Sequence, residues 1–449
     1  MDHPLDGVSG SPCPCRSFPF LSLEAAAACL SVCLPTCVSV YRCCCRRLLF
    51  VLTLLRNIAL QPLLTNRDDP HLGSTQLWVN RTLEHMTQAK SYGVSGALGI
   101  TWRMEAVGPT IWALAHRAWD ADLTASKAWA TWATGEFGLS ASDADTMEKF
   151  ATALSAFEGA ERLISTTGCP GVIFGCTAPA SAAAYRAKIL DFLHLQPLVG
   201  TDLQYTERWN VWSSLFKFVD AAMHSGCVAA NYSSAAAAVR SLPTTAARAA
   251  AANTTLLPMR VQLVAAARNM TTLLLEATTG PGEMGMLATI HDTLLLGNCS
   301  GEKCNAIISF HENYLNASAS AELADWLGVP ALPLAAQPSA KYSGRTRIVM
   351  GAPRSSVDAG ESLSITARVL SASRPTHVSL HYKQLSADDW QELRMENNGR
   401  GQVYVASIPA MADDYEYFVS EYSVFGDGVA WPPGAGPAGG AQTVVVAQW

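Results

Sequence analysis

NRDDPHLGSTQLWVNRTLEHMTQAKSYGVSGALGITWR, residues 66–103, is the stretch on which the reading of the chain turns. Within it, residues 76–92 carry Leu77, Leu83 and Met86 near helical spacing. Gly93 follows as a stop, so this part predicts a helix. GALGITW, residues 96–102, is then a brief apolar run bounded by glycine, as expected of a parallel strand covered on both faces. Gly108-Pro109 punctuates the chain. Ile111, Leu114, Ala115, Ala118 and Trp119 then recur on one face of a further helix. Helix, strand, loop, helix is the order in which a β/α barrel closes.

Downstream, from about 121 to 338, the pattern is helical. Thr124 reads as the N-cap of a helix that carries Trp129 and Trp132 and stops at Gly135. Ser142 reads as the cap of the next, with Met147, Phe150, Leu154 and Phe157 in its apolar stripe. Tyr185, Ile189 and Phe192 mark another helix, and Trp209, Trp212, Phe216 and Val219 one more. An alanine-rich stretch, 229–252, is cut by Pro243, and 259–277 is helical again. Near 340 the period falls to two. LSITARV (363–369), HVSLHY (377–382), VYVASI (403–408), YEYFVSEYSV (415–424) and TVVVAQW (443–449) read as strands, and Asn398-Gly399 as a hairpin turn. The expected class is therefore a multidomain α+β protein. Residues 59–120 would be the last βα unit or units of a barrel, 121–338 a mostly helical domain, and 339–449 an immunoglobulin- or fibronectin-like β-sandwich.

Composition narrows the function. Charged residues make up 15% of the 449 and the net charge is −6, a balance that argues against nucleic acid as a partner, which would need a basic face. Of the 13 cysteines, eight precede residue 46. Cys43-Cys44-Cys45 lacks zinc-ligand spacing, so no metal site and no cofactor is expected. Cys169 with Cys176, and Cys299 with Cys304, each read either as a short-range disulfide or as free thiols. Sequons at Asn80, Asn231, Asn253, Asn269, Asn298 and Asn316 point to glycosylation on the secretory route. The Cys-rich apolar segment 1–58, with LLFVLTLL at 48–55 behind Arg46 and Arg47, reads either as a signal or membrane anchor or as low-complexity sequence that does not fold. The compartment expected is secreted or endomembrane lumen.

Residues 66–103 resemble the end of the barrel in large multidomain glycoside hydrolases. There, aspartates, Gln-Leu-Trp-Val, a helix, Tyr-Gly and then Leu-Gly-Ile-His-Trp-Arg form the last βα unit. In this chain Thr101 stands at the histidine position of that pattern, which keeps a polar group there but puts the histidine's acid–base or ligand role in question. WATWATGEFG (129–138) is similar to the helix that opens the post-barrel helical domain of several glycosidase families. TERWNVWSSLFKF (206–218) looks like a further helical segment of that group, and the tail with Trp431-Pro432 resembles its C-terminal sandwich. The resemblance implies a protein that cleaves or binds a glycan.

Glycoside hydrolysis needs two carboxyl groups flanking one bond, and barrels set them at the ends of different strands. Only one convincing barrel strand is legible, so the chain reads as an incomplete enzyme. The alternative is a non-catalytic carbohydrate-binding or cell-surface module. Asp68 and Asp69 are the candidate catalytic carboxylates, and their other reading is aspartates in a capping turn. Trp102 and Arg103, at the expected strand end, suit ring stacking and hydroxyl or carboxylate binding. Glu105 and Trp78 are further substrate-binding candidates. Glu207, Trp209 and Trp212 read either as groups reaching back to the barrel mouth or, for the tryptophans, as core. His377, Ser379 and His381 read as one solvated strand face, not a metal site.

Overall fold

The chain divides into two compact units, Met1–Ala59 and Leu60–Trp449. The structure, a computed structural model, describes residues 77–94, 96–97, 99, 107–159, 176, 179–277, 314–338, 342–350, 354–399, 402–422 and 428–447, all in the second unit. This unit is α+β: helices come first, and two β-sheets follow. No barrel closes among the described residues. Of the strand expected over 96–102, Gly96, Ala97 and Gly99 are described and none is in a strand, while Trp102 lies outside the described residues.

Local chemistry accounts for the helix ends. Helix α1 (Val79–Ser91) stops at Gly93, which adopts a φ of 71°. Helix α2 (Gly108–Arg117) starts with proline in its first turn. Thr124 caps α3 (Ala125–Phe137) by accepting from the Lys127 N–H. This helix does not stop at Gly135. It runs to Phe137, because Gly138 takes the left-handed C-terminal position, with φ 64°. Helix α4 (Ala144–Ser155) is capped by Asp143, not Ser142. The Asp143 carboxylate accepts from both the N–H and the hydroxyl of Thr146, whereas Ser142 pairs with Ser140.

Helix α5 (Pro179–Leu193) leads into α6 (Leu203–Arg240), 38 residues long. From Trp209 to Gly226 its buried positions fall all round the helix, as expected of a helix enclosed by others. Trp212 meets Trp132 edge-on at 5.0 Å, Trp209 stacks on Phe192 at 4.3 Å, and Phe216 stacks on Phe157 at 3.7 Å. Each such fully buried aromatic contributes about 1.5–3 kcal/mol. The tryptophans are core residues. Helix α7 (Thr245–Ala251), a π-helical turn at Ala252–Leu256 and α8 (Leu257–Ala277) bring the chain back antiparallel along α6, so that Ser214 reaches Glu276 at 3.3 Å. Arg260 of α8 is fully buried. It donates to the carbonyls of Ala336 and Tyr314 and to the Ser320 hydroxyl, tying α9 (Ala317–Leu327) and its flanks to the bundle.

The strands are β1 (Arg347–Met350), β2 (Ser356–Asp358), β3 (Leu363–Leu370), β4 (His377–Gln384), β5 (Gln391–Arg394), β6 (Glu396–Asn397), β7 (Val403–Ile408), β8 (Tyr415–Tyr422), β9 (Val429–Trp431) and β10 (Gln442–Ala447). They form one sheet of order β1-β3-β7-β6 and a second of order β2-β10-β8-β4-β5, with β9 paired to the far end of β8. Asn398 and Gly399, the latter at φ 79°, make the turn that joins β6 and β7. Ile348, Ala367 and Val369 of the first sheet share a core with Val378, Leu380, Tyr417 and Val444 of the second. Side chains alternate along a strand, so Val349 and Leu370 point the other way, into the core of the helices. β1 and the end of β3 are thus covered on both faces, while the same outer face is open at Ser364 and Ser407.

Two sequence expectations are corrected here. Cys176 is bonded to Cys227 of α6, not to Cys169, which lies outside the described residues. The expected solvated face of β4 is half-covered. Ser379 is fully buried and His381 stacks on Phe418 at 4.4 Å, because Trp390 and the Pro437 carbonyl lie over that side of the sheet. No group of three or more potential metal ligands occurs among the described residues, and no described helix is long and apolar enough to cross a membrane.

Candidate functional site

Where helices and sheets meet, a cleft of about 710 Å³ opens. One wall is the start of α6, with Asp202, Leu203, Gln204, Glu207, Arg208 and Trp212. Glu136, from the last turn of α3, completes that wall. The other wall is Arg347 and Ile348 of β1 with Trp431, Pro432, Pro433 and Gly434. Leu203, 61% exposed, leans on Gly434, where an added Cβ would sit 3.1 Å from it. Beyond this contact lies a second recess of about 520 Å³, lined by Thr206, Asn210, Arg345 and Gly428 among others.

The cleft holds its width through one ion cluster. The Glu207 carboxylate accepts from both terminal nitrogens of Arg345 and pairs with Arg347 Nε at 2.9 Å. Arg347 also donates to the carbonyls of Leu275 and Glu276, at the C-terminus of α8 where cations are favoured. Glu276 in turn accepts from the Arg345 N–H at 3.0 Å. Burial pushes the Glu207 carboxyl up, but the Arg347 charge and the Arg345 hydrogen bond outweigh it and hold it below the usual carboxylate range. Arg347 is buried, with Nη1 on two carbonyls and Nε beside Glu207, and both terminal nitrogens of Arg345 serve Glu207.

Glu136 is the opposite case. Burial pushes its carboxyl up, against a 3.0 Å hydrogen bond from Trp212 Nε1 and the nearby Arg208 charge. It is therefore a carboxyl that holds its proton to higher pH, at the edge of a partly open cleft. Arg208 is exposed, donates to the Gly135 carbonyl at 3.2 Å and lies 6.0 Å over the Tyr205 ring. Trp431 is half-buried and packs at 6.1 Å, nearly parallel, against Tyr417. The arrangement combines an aromatic ring, a carboxyl, an amide and a guanidinium in one groove. That set suits a polyhydroxylated ligand.

Among the sequence-derived candidates, Asp68, Asp69, Trp102, Arg103 and Glu105 lie outside the described residues. Trp78 is away from the cleft. It is half-buried at the start of α1, under the Arg81 guanidinium at 5.1 Å and beside Gly159. Glu207, a candidate for reaching back to a barrel mouth, instead engages Arg345 and Arg347 on the strand side. Glu136, Arg208 and Trp431 belong to the site without having stood out as site residues. The only signal for Trp431 was the Trp-Pro pair in the tail.

No protein-family model matches the chain. No curated protein matches it either. Among solved structures, the chain is similar to the crystal structure of an engineered protein at 10% identity and a TM-score of 0.18. That match covers 42% of this chain and spans about half, 46%, of the engineered one. A similarity of that size carries no argument about fold or function.

Proposed function

We propose that the Leu60–Trp449 unit is the glycan-binding portion of a glycoside hydrolase-like protein, and that the cleft between α6 and the sheets is where the glycan lies. The observation that carries this reading is the groove in which Trp431, Gln204, Arg208 and Glu136 converge. In the same reading the two sheets are the immunoglobulin- or fibronectin-like sandwich of such proteins, the helices their post-barrel domain, and residues 59–120 the end of their barrel. Two sheets over a common core, antiparallel except for the parallel β2–β10 pair, support the first part. Binding is favoured over cleavage at this cleft because Glu207, its other central carboxylate, is consumed by two arginines. Any hydrolysis would fall to Asp68 and Asp69.

Passage through the secretory route is part of the proposal. Cys176–Cys227 is a bond for an oxidising compartment, and the asparagines of all five described sequons are exposed. The test is calorimetric titration of the secreted full chain with a panel of oligosaccharides. Trp431→Ala and Arg208→Ala are each expected to weaken binding about tenfold, the scale of one good contact. Unchanged affinity in both variants refutes the cleft as the site. Glycan release that is lost in Asp68→Asn or Asp69→Asn establishes an enzyme.

A further inference from the structure

The charges of the cleft fall into a balanced group and an unbalanced one. In the first, Glu207 serves Arg345 and Arg347, while Glu276 accepts from the Arg345 N–H and acts on the Arg347 charge. Two acids meet two bases, which leaves little net field for a ligand. The second group is Asp202, Arg208 and Glu136. The tail wall, with Trp431, Pro432, Pro433, Gly434 and Gly440, brings no charge.

Arg208 is the cation of the unbalanced group. It is exposed, enters no ion pair among the described residues and gives one hydrogen bond, from Nη1 to the Gly135 carbonyl at 3.2 Å. A guanidinium presents five N–H donors in a flat fork, so donors remain for a planar acceptor. Gln204 precedes it by one helical turn and Trp212 follows by one, and all three line the cleft. Its acidic neighbours do not cancel it. Asp202 stands at the start of α6, about 9 Å along the axis from Arg208, where the helix N-terminus offsets a negative charge. Glu136 accepts from Trp212 Nε1 at 3.0 Å, and burial makes it hold its proton to higher pH.

We propose that the ligand of this cleft is an acidic glycan, with Arg208 taking a sugar carboxylate in its fork while Trp431 and Gln204 hold the uncharged part of the same chain. This specificity rests on the cleft being the glycan site, as proposed above. A carboxylate suits the fork because its two oxygens can accept two parallel N–H bonds at once. The pairing has a proton signature. Asp202 and Glu207 of α6 and Arg345 and Arg347 of the strand side also face the cleft, but among the described residues Arg208 is the charge that acts on Glu136. An anion on Arg208 offsets the charge that favours ionised Glu136, so binding and proton retention assist each other. Affinity for an acidic glycan therefore falls as pH rises through the raised range in which Glu136 ionises.

Calorimetric titration of the secreted full chain tests this. The probes are three oligosaccharides, bearing galacturonate, glucuronate or sialate, each compared with its carboxyl-reduced counterpart. An acidic member is expected to bind about tenfold or more tighter than its reduced form. That ratio falls to near one in Arg208→Gln, and Arg208→Lys, which keeps the charge without the fork, retains part of it. Between about pH 5 and pH 8 the advantage shrinks in the unmutated chain and stays level in Glu136→Gln. Reduced forms that bind as tightly as their acids, or a preference that survives Arg208→Gln, overturn the acidic specificity and leave the cleft a site for neutral glycans. A preference in the unmutated chain that is level with pH overturns the link to Glu136. Binding of no member, acidic or reduced, defeats the glycan reading of the cleft and the specificity with it.

Discussion

Replacing Glu207 by glutamine removes one charge and leaves the shape. The carboxylate serves two guanidinium groups, and Arg347 is almost wholly buried. Breaking a buried pair by deleting one partner costs about 3–5 kcal/mol, since the other charge stays desolvated. The side chains of Arg345 and Glu207 are 32% and 22% exposed, so Arg345 rehydrates in part, and the lower end, about 3 kcal/mol, is expected. For a unit of this size that corresponds to a Tm lower by about 4 °C. The pH dependence supplies a second check. The folded carboxyl titrates below its unfolded value, so its contribution is present above the ordinary carboxylate range and is lost as pH falls through the lowered folded value. The gap between wild type and Glu207→Gln must therefore narrow on acidification. Calorimetric melts from pH 7 to pH 3 measure both quantities. A difference under about 1 kcal/mol at pH 7, or one that stays constant to pH 3, refutes the assignment of Glu207 as the clasp between helix and sheet.

Other consequences are as direct. Cys227→Ser removes a crosslink with a sequence separation of 51 and is expected to cost about 4 kcal/mol by loop-closure entropy, read as a denaturation midpoint that no longer responds to reductant. Gly138→Ala forces a side chain into a left-handed position where its Cβ would lie 2.4 Å from the Tyr205 ring. A loss of about 2–4 kcal/mol in chemical denaturation is expected, with the α6 side of the cleft displaced. Glu421 is buried on the inner face of β8 with Oε2 lacking a hydrogen bond, and burial raises its pKa. Its favourable, protonated state is present below the ordinary carboxylate range and lost as pH rises through the raised value. Glu421→Gln should therefore raise the Tm at pH 7.5 and leave it unchanged at pH 4. Equal gains at both pH values would show that ionisation of Glu421 is not what limits stability.

Much of this architecture is legible in the sequence, and what is not has identifiable causes. The five longer strands betray themselves by alternation, because one side of each sees a core and the other a different environment. RIVM of β1 shows no alternation, since all four residues are buried between helices and the second sheet. VAW of β9 is three half-buried residues with no pattern to read. Thr124 is recognisable as a cap, while Asp143 is hidden by Ser142, a residue of equal capping propensity next to it. The cleft is the least legible part. Glu207 and Arg345 are 138 positions apart, and nothing local in either segment names the other. The disulfide misled for the same reason: Cys169 is near Cys176 in the chain, but α6 brings Cys227 nearer in space.

Strand β1 and the end of β3 bear on how this protein can be divided. Hydrophobic side chains leave them in both directions, Ile348 and Val369 towards one core, Val349 and Leu370 towards the other. A cut near residue 338 would strip the helix-facing side chains of β1 and β3 bare and leave Arg347 and Arg368 without their enclosure. Recombination that moved the β portion onto another protein would have to carry α6 and α8 with it, or rebuild that face from polar residues.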